Sequence, residues 1–454
     1  MCFIIIYMSE ENKGFHNIVK KYIIDVPYVK NESRGNPELE IRFGTLGHKH
    51  INRIDYENVC KNILSHGFKP TNKLGKSMLR ISTEYTDRNT GKIKMSNIRT
   101  EINGIDAVKN YCKTNRLPET YDFVQKTNAK NNDNTILLPQ NIKSYNLRIS
   151  YTNENNINKE SRMARSIIEP WTDTKKTFRY INRTSFTHDD YPISIDCSII
   201  KSSKARGRYM MSTFTIQETD LFNNPETYEI EIEVDNAKLE GYTTERLEAI
   251  LMKSIKFVLG GLQQTNYPIS YNEIDDIGKQ YLNLIKNSSN YLKPSTFIGP
   301  NSFTLQKPNI LENEMTHNIL NDYTVTDKAD GLRKLMYIYK NGFIYLINTN
   351  MNIQFTGCKC DNNKYFNTII DGEHIIHDKN GKYINLFACF DVYFINGKDV
   401  RDSLFVKTTP KEDKNTYRLQ MLTEIIDNLQ MSGVTSKLPT FKIKVKRFYV
   451  SNES

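Results

Sequence analysis

Long hydrophobic runs are missing from the start of this chain. The opening stretch, Cys2-Phe3-Ile4-Ile5-Ile6-Tyr7, is only six apolar residues and lacks a basic flank or a cleavage site. Neither a signal peptide nor a membrane span is therefore expected, and no membrane partner. Met8-Ser9-Glu10-Glu11 reads as a more natural beginning, which leaves the first seven residues as a disordered tail or no part of the protein proper. A cysteine framework is missing too. The seven cysteines are scattered at 2, 60, 112, 197, 358, 360 and 389, which points to a reducing, intracellular compartment. Cys358-x-Cys360 with His374-x-x-His377 has the residue types of a zinc site. An odd separation within a strand sends the two histidines to opposite faces, so zinc is the lesser reading. Leu74-Gly75-Lys76-Ser77 imitates the end of a phosphate-binding loop, but Pro70 stands where the leading glycine belongs. There is no internal repeat.

What is present is a basic chain of 454 residues with a net charge of +10 and a pI near 8.9. That length predicts two domains or three, and the charge favours polyanionic partners. With 38% hydrophobic and 25% charged residues, the composition is that of a globular protein. Between residues 37 and 235 the text breaks into short alternating runs: Met78 to Tyr85, Lys92 to Ile102, Tyr145 to Tyr151, Phe178 to Phe186, Ile193 to Ile200, Tyr209 to Ile216 and Tyr228 to Asp235. So many short strands predict a barrel or a sandwich. Leu247, Ile250, Leu251, Ile255 and Val258 then share one helical face and close the first domain. Residues 287 to 301 are rich in breakers and lead into a second domain, where strands return after residue 323. Thr416 to Leu429 reads as a helix, and Phe441 to Phe448 as a basic strand.

Two acidic runs stand out. Residues two apart on a strand share a face, so Glu38 and Glu40 point together, as do Glu229, Glu231 and Glu233. Like charges this dense need cations among them. Two such strands side by side offer hard oxygen ligands for Mg2+ or Mn2+; either one alone is more simply a solvated acidic face. Between them Arg179 and Arg183 share a face, as do Asp196 and Ser198. Arg80, Arg99 and Arg148 sit inside strand-like runs, where a charged side chain faces water or a polar lumen.

This pattern resembles the triphosphate tunnel metalloenzymes, specifically the metal-dependent RNA 5′-triphosphatases of fungi and large DNA viruses. The resemblance spans roughly residues 37 to 240. It implies an antiparallel barrel with metal held by Glu38, Glu40, Glu231 and Glu233, Glu229 extending the late strand. It also implies Glu154 as the glutamate that helps place the water, with phosphate binding by Arg80, Arg99, Arg179, Arg183 and the strand of Asp196. Ser194 stands where some relatives carry an arginine.

Downstream, Thr326-Asp-Lys328-Ala-Asp330-Gly331-Leu-Arg333 is followed by Asp371-Gly-Glu373 and by Phe390-Asp391. Thr324 to Thr326 reads as a strand that delivers the lysine to a cleft. Together these motifs resemble the nucleotidyltransferases, and the capping branch above the polynucleotide ligases. The segment Phe297-Ile-Gly-Pro300 with Leu305 is similar to the region preceding the transferase in viral capping enzymes. The resemblance implies Lys328 as the nucleophile that forms lysyl-GMP from GTP. Asp330, Gly331, Arg333 and Glu373 fall around the nucleotide, the last two on the ribose, with Phe390 on guanine and Asp391 nearby. The family's later acidic motif, its Lys-x-Lys strand and its oligonucleotide-binding domain are not found in the text. The chain is therefore expected to stop inside its transferase domain.

The whole resembles a viral mRNA-capping enzyme of the poxvirus, asfarvirus and mimivirus type. The expected fold is α+β: a triphosphatase barrel with closing helix (9–262), a connector (263–300), and a partial nucleotidyltransferase domain of the ATP-grasp-like or ligase-like kind (301–454). Its partners would be 5′-triphosphate RNA and GTP, with a polypeptide that completes the transferase and a cap methyltransferase. Its place would be the host cytoplasm, in a viral factory, or the virion. The alternatives are a polynucleotide ligase-like nucleotidyltransferase and a non-catalytic capping-complex subunit.

Overall fold

Alternation in β1 (Asn36–Phe43) puts Leu39, Ile41 and Phe43 on one face and Glu38, Glu40 and Arg42 on the other. The same division recurs in the strands around it. A computed structural model describes residues 10–28, 35–46, 49–72, 75–87, 89–207, 209–289, 291–311, 319, 323–407 and 416–450. The expectation for the first seven residues lies outside these.

The chain divides into two compact units, at residues 4–262 and 263–454. In the first, β1 is joined by β2 (Lys76–Thr86), β3 (Ile93–Asn103), β4 (Asp122–Asn128), β5 (Leu147–Ile157), β6 (Lys176–Thr187), β7 (Ile193–Ser202) and β8 (Thr227–Val234). The order is β1-β8-β7-β6-β2-β3-β4-β5, and β5 pairs back with β1, so eight antiparallel strands close on themselves. Closure leaves no edge among these strands and encloses a lumen.

The outward apolar faces of β1 and β8 are covered by α1 (Glu10–Asp25), α2 (Arg53–Ser65) and, beyond the short α3 (Ile105–Thr114) and α4 (Arg162–Ile168), by α5 (Thr244–Gln263). Phe15 and Tyr22, Val59 and Ile63, and Leu251 and Ile255 form one core with Leu39, Ile41, Ile230 and Ile232. Burying each such side chain contributes about 1.5–3 kcal/mol. This apolar jacket holds the acidic strands with their glutamates turned inward. One expected strand is not formed as such: of Tyr209 to Ile216, Tyr209–Met210 pairs in a hairpin with Ala205–Arg206 and Thr213 makes an isolated bridge to Lys176. The register leaves it no slot, because β7 and β8 pair with each other directly from Thr227↔Ile200 to Val234↔Ile193.

The second unit is built on a sheet of β9 (Leu332–Ile338), β10 (Phe343–Asn348), β11 (Ile353–Cys360), β12 (Thr368–His377) and β13 (Tyr383–Ile395). The short β14 (Lys398–Asp399) and β15 (Met431–Gly433) extend its ends, in the order β14-β13-β12-β9-β10-β11-β15. β16 (Lys442–Val445) lies parallel to β13, shorter than the basic strand expected there. Residues 263–300, expected as a connector, carry α6 (Tyr271–Leu284), whose Ile277, Tyr281 and Leu282 pack into this unit's core. α7 (Arg418–Asp427) covers the other face through Leu422 and Ile425. Among the described residues no helix is long and apolar enough to cross a membrane.

Candidate functional site

Register brings the acidic runs together. Glu40 lies opposite Glu233, and Arg42 opposite Glu231, across the β1–β8 pair. Glu231 in turn faces Asp196, and Glu229 faces Ser198, on β7. On the other side Glu38 faces Thr152, and Asn36 faces Glu154, on β5. The lumen wall opposite is cationic. Arg80 and Arg179 are register partners, as are Arg183 and Ser198, while Arg99 pairs with Ser82. Every residue expected in the first site thus faces one lumen.

Its charges are interlocked. Lys126 Nζ lies 2.8 Å from both Glu38 and Glu40. Glu231 accepts from Arg42 Nε at 2.6 Å and from Arg183 at 3.0 Å, and Arg183 reaches Asp196 at 2.9 Å. Arg99 joins Glu101 at 2.6 Å to Glu154 at 2.5 Å, Arg80 lies 2.8 Å from Glu101, and Glu229 is held by Arg179. Burial opposes ionisation of Glu231, yet Arg42 and Arg183 hold its carboxyl down to about 2. Glu154 is likewise held low against burial by Arg99 and Lys126. At Glu233 burial outweighs Arg183 and, with Glu38 and Asp196 adding, pushes the carboxyl up to about 8. Burial also raises Glu38, Lys126 pulling against it. Burial lowers Arg80; Glu101 opposes this, while Arg99, Arg183 and Arg179 crowd it further.

Among the described residues no three His, Cys, Asp or Glu side chains gather to hold a metal ion as they stand. The reason is visible in the pairing, since Lys126, Arg42 and Arg183 lie between the carboxylates. The donor set nevertheless fits a hard divalent cation. Burial raises Glu38 and Glu233, a penalty that a bound cation would relieve, and Asp196 Oδ1 is buried without a hydrogen-bond partner. Glu38, Glu40, Glu231 and Glu233 are the residues that would hold it. Glu229 sits farther along β8, on Arg179. Arg42, Glu101 and Lys126 were not singled out from the sequence. Arg42 was legible as the next same-face residue after Glu40, and Lys126 lies in a strand whose alternation is weak.

In the second unit Lys328 is 89% exposed, its Nζ 3.1 Å from Asp330. Gly331 packs where no side chain fits, since a Cβ there would lie 2.8 Å from Glu373 Cγ and from the His374 carbonyl oxygen. Arg333 faces Glu373 in register but is clamped by Asp371, at 2.6 Å, which also accepts from the Tyr393 hydroxyl at 2.7 Å. The Arg333 guanidinium lies 5.4 Å from the Phe297 ring and 5.7 Å from Phe390, whose ring has Lys446 Nζ at 5.9 Å. Arg333, Glu373 and Phe390 therefore share one cleft. Asp391 is turned to Arg418, accepting at 2.9 and 3.1 Å. Asp371, Arg418 and Lys446 went unassigned in the sequence because their partners are set by sheet register.

Lys334, only 4% exposed, was also missed. Its Nζ contacts Gln354 at 2.6 Å and His374 at 3.0 Å, and burial lowers it to about 8. The sulfur and histidine groups weighed for zinc are dispersed. Cys358 lies against Thr440, Cys360 bonds the Leu429 carbonyl, and His374 lies between Lys334 and Asn385.

Residues 268–453 match the family model for the mRNA capping enzyme, catalytic domain. This chain is similar to viral mRNA-capping enzymes. A probable mRNA-capping enzyme of Acanthamoeba polyphaga mimivirus is 32% identical over 256 residues, 56% of this chain, and the match spans 18% of that relative's length. Among solved structures, the mimivirus capping enzyme triphosphatase aligns over 55% of this chain and 98% of its own, with a TM-score of 0.34 and 18% identity. The S. pombe Pct1 RNA triphosphatase aligns over 57% of this chain and 96% of its own, with a TM-score of 0.30 and 12% identity.

Proposed function

We propose that the chain acts in mRNA 5′ capping. Its barrel removes the γ-phosphate from triphosphate-ended RNA, and its second unit carries the lysine for GMP transfer. The observation that carries this reading is the closed lumen in which Glu38, Glu40, Glu231 and Glu233 face Arg80, Arg99, Arg179 and Arg183. A divalent ion bound by those glutamates would neutralise charge on the phosphate oxygens. The arginines grip the triphosphate through paired N–H donors. Glu154, kept ionised by Arg99 and Lys126, accepts a proton from the attacking water and orients it. The water oxygen bonds to the γ-phosphorus as the β–γ bridging bond breaks, giving inorganic phosphate and a diphosphate end.

Lys328 in its unprotonated form attacks the α-phosphorus of GTP and expels pyrophosphate, leaving lysyl-GMP. Arg333 and Glu373 hold the ribose and Phe390 stacks on guanine. Gly331 lets the Lys328 loop close on Glu373. The match over residues 268–453 supports a capping rather than a ligase role for this unit.

Purified protein with Mg2+ or Mn2+ is expected to release labelled phosphate from γ-labelled triphosphate RNA. No release with either metal would overturn the hydrolytic reading. Incubated with α-labelled GTP, the protein is expected to gain an acid-labile label that Lys328→Arg abolishes. A label retained in that variant would remove Lys328 from the reaction.

A further inference from the structure

One rim of the barrel carries a feature that the lumen chemistry does not use. Between β7 and β8 the chain leaves the wall as the Ala205–Arg206/Tyr209–Met210 hairpin. It is fastened to the rim twice. Ser212 donates to Glu84 near the end of β2, and Thr213 exchanges backbone hydrogen bonds of 2.7 and 2.9 Å with Lys176, the first residue of β6. The hairpin presents Tyr209, 82% exposed, with Lys204 and Arg206 also exposed and without anionic partners among the described residues. Beside it Phe214 is open to solvent under Lys175, whose Nζ lies 5.5 Å from the ring centroid. Just inside this mouth Arg179 is the register partner of Ser202, the last residue of β7.

At the opposite mouth β6 turns into β7 through Asp189 and Asp190, both about four-fifths exposed, with Lys69 Nζ 2.8 Å from Asp189. Exposed aromatic rings interleaved with free cations are the surface on which single-stranded nucleic acid stacks its bases and lays its phosphates. A polyanion is attracted by the exposed Lys204 and Arg206 of the hairpin rim.

We infer that the hairpin rim is a binding surface for single-stranded RNA, which holds the nucleotides behind the 5′ end while the triphosphate reaches inward to Arg179. The RNA body then stays on the hairpin side, and the aspartate mouth is left to phosphate and water. This rests on the hydrolytic reading of the lumen.

The test is K204A/R206A/Y209A, with D189K/D190K as its counterpart on the other rim. Fluorescence anisotropy with a labelled 12-nucleotide single-stranded RNA bearing a 5′-triphosphate, without divalent metal, reads binding alone. The hairpin variant is expected to bind about tenfold more weakly, with a salt dependence shallower by about 1.4 in log–log slope for two lost phosphate contacts. Its KM for triphosphate RNA rises about tenfold, while kcat and the hydrolysis of ATP stay at wild-type values. D189K/D190K leaves KM unchanged. RNA affinity within twofold of wild type in the hairpin variant, or an equal loss on ATP, overturns the inference. So does a KM effect confined to the aspartate rim. A wild-type protein that binds this RNA through the hairpin yet releases no phosphate would sink the hydrolytic reading and leave the surface standing.

Discussion

Replacing Glu231 with alanine is expected to lower phosphate release from triphosphate RNA by about a thousandfold, the scale of losing a preorganised electrostatic contact in a closed site. The side chain is 5% exposed and joins Arg42 on β1 to Arg183 on β6. It therefore both offers oxygen to a cation and fixes the guanidinium that also reaches Asp196. Removing it takes one carboxylate from each of two half-buried arginines, leaving Arg42 to Glu40 and Glu229 and Arg183 to Asp196, so alanine alone confounds catalysis with folding. Glu231→Gln keeps the shape and a hydrogen-bond acceptor while removing the charge, and a thermal melt alongside the assay separates the two effects. The folded-state value of Glu231 is depressed to about 2. Its contribution to stability is thus present above the ordinary carboxylate range and lost only as pH falls through about 2. A neutral assay sits on that plateau. A folded Glu231→Gln protein that hydrolyses at the wild-type rate would exclude the carboxylate from the reaction.

The second large effect lies in the pH dependence of metal binding. Glu233 is raised to about 8 by burial, with Glu38 and Asp196 adding and Arg183 opposing. Binding a divalent ion requires the carboxylate and so releases a proton at any pH below that value. Mn2+ affinity is expected to rise about tenfold per pH unit from 6 toward 8 and then level off. The same shift bears on folding without metal. A raised value favours the folded state fully below the ordinary carboxylate value, and that contribution fades as pH climbs to about 8. Calorimetry in two buffers of different ionisation enthalpy measures the released proton directly. Glu233→Gln should bind more weakly and lose the slope. Mn2+ affinity equal at pH 6 and pH 8 in the wild-type protein would rule out Glu233 as the titrating ligand.

The acidic strands were legible because their spacing is a property of the backbone: Glu38 and Glu40, or Glu229 to Glu233, fall on one face of any strand. The closing helix was legible for the same reason, with Leu247, Leu251, Ile255 and Val258 on one stripe. Partners were not legible. That Lys126 bridges Glu38 and Glu40, or that Arg333 is claimed by Asp371, depends on register between strands distant in sequence. α6 was announced by Ser270-x-x-Glu273, whose serine accepts from the Glu273 amide, and α2 by Asn52-x-x-Asp55; both caps were overlooked amid polar text. Tyr209 to Ile216 misled because its spacing looks like a strand, while Tyr209, Met210, Met211 and Phe214 are exposed at the rim and Ile216 is buried in the core.

The seam between β1 and β8 also sets an order of events during synthesis. Glu40 and Glu233 are neighbours in the barrel but nearly the length of the unit apart along the chain. A growing polypeptide cannot bring them together until the last barrel strand has emerged, and such long-range closure is slow compared with local hairpins such as β2–β3. Until then the two halves of the carboxylate set are separate and the sheet has two open edges. The lumen charge is therefore assembled last, in the same step that seals the barrel.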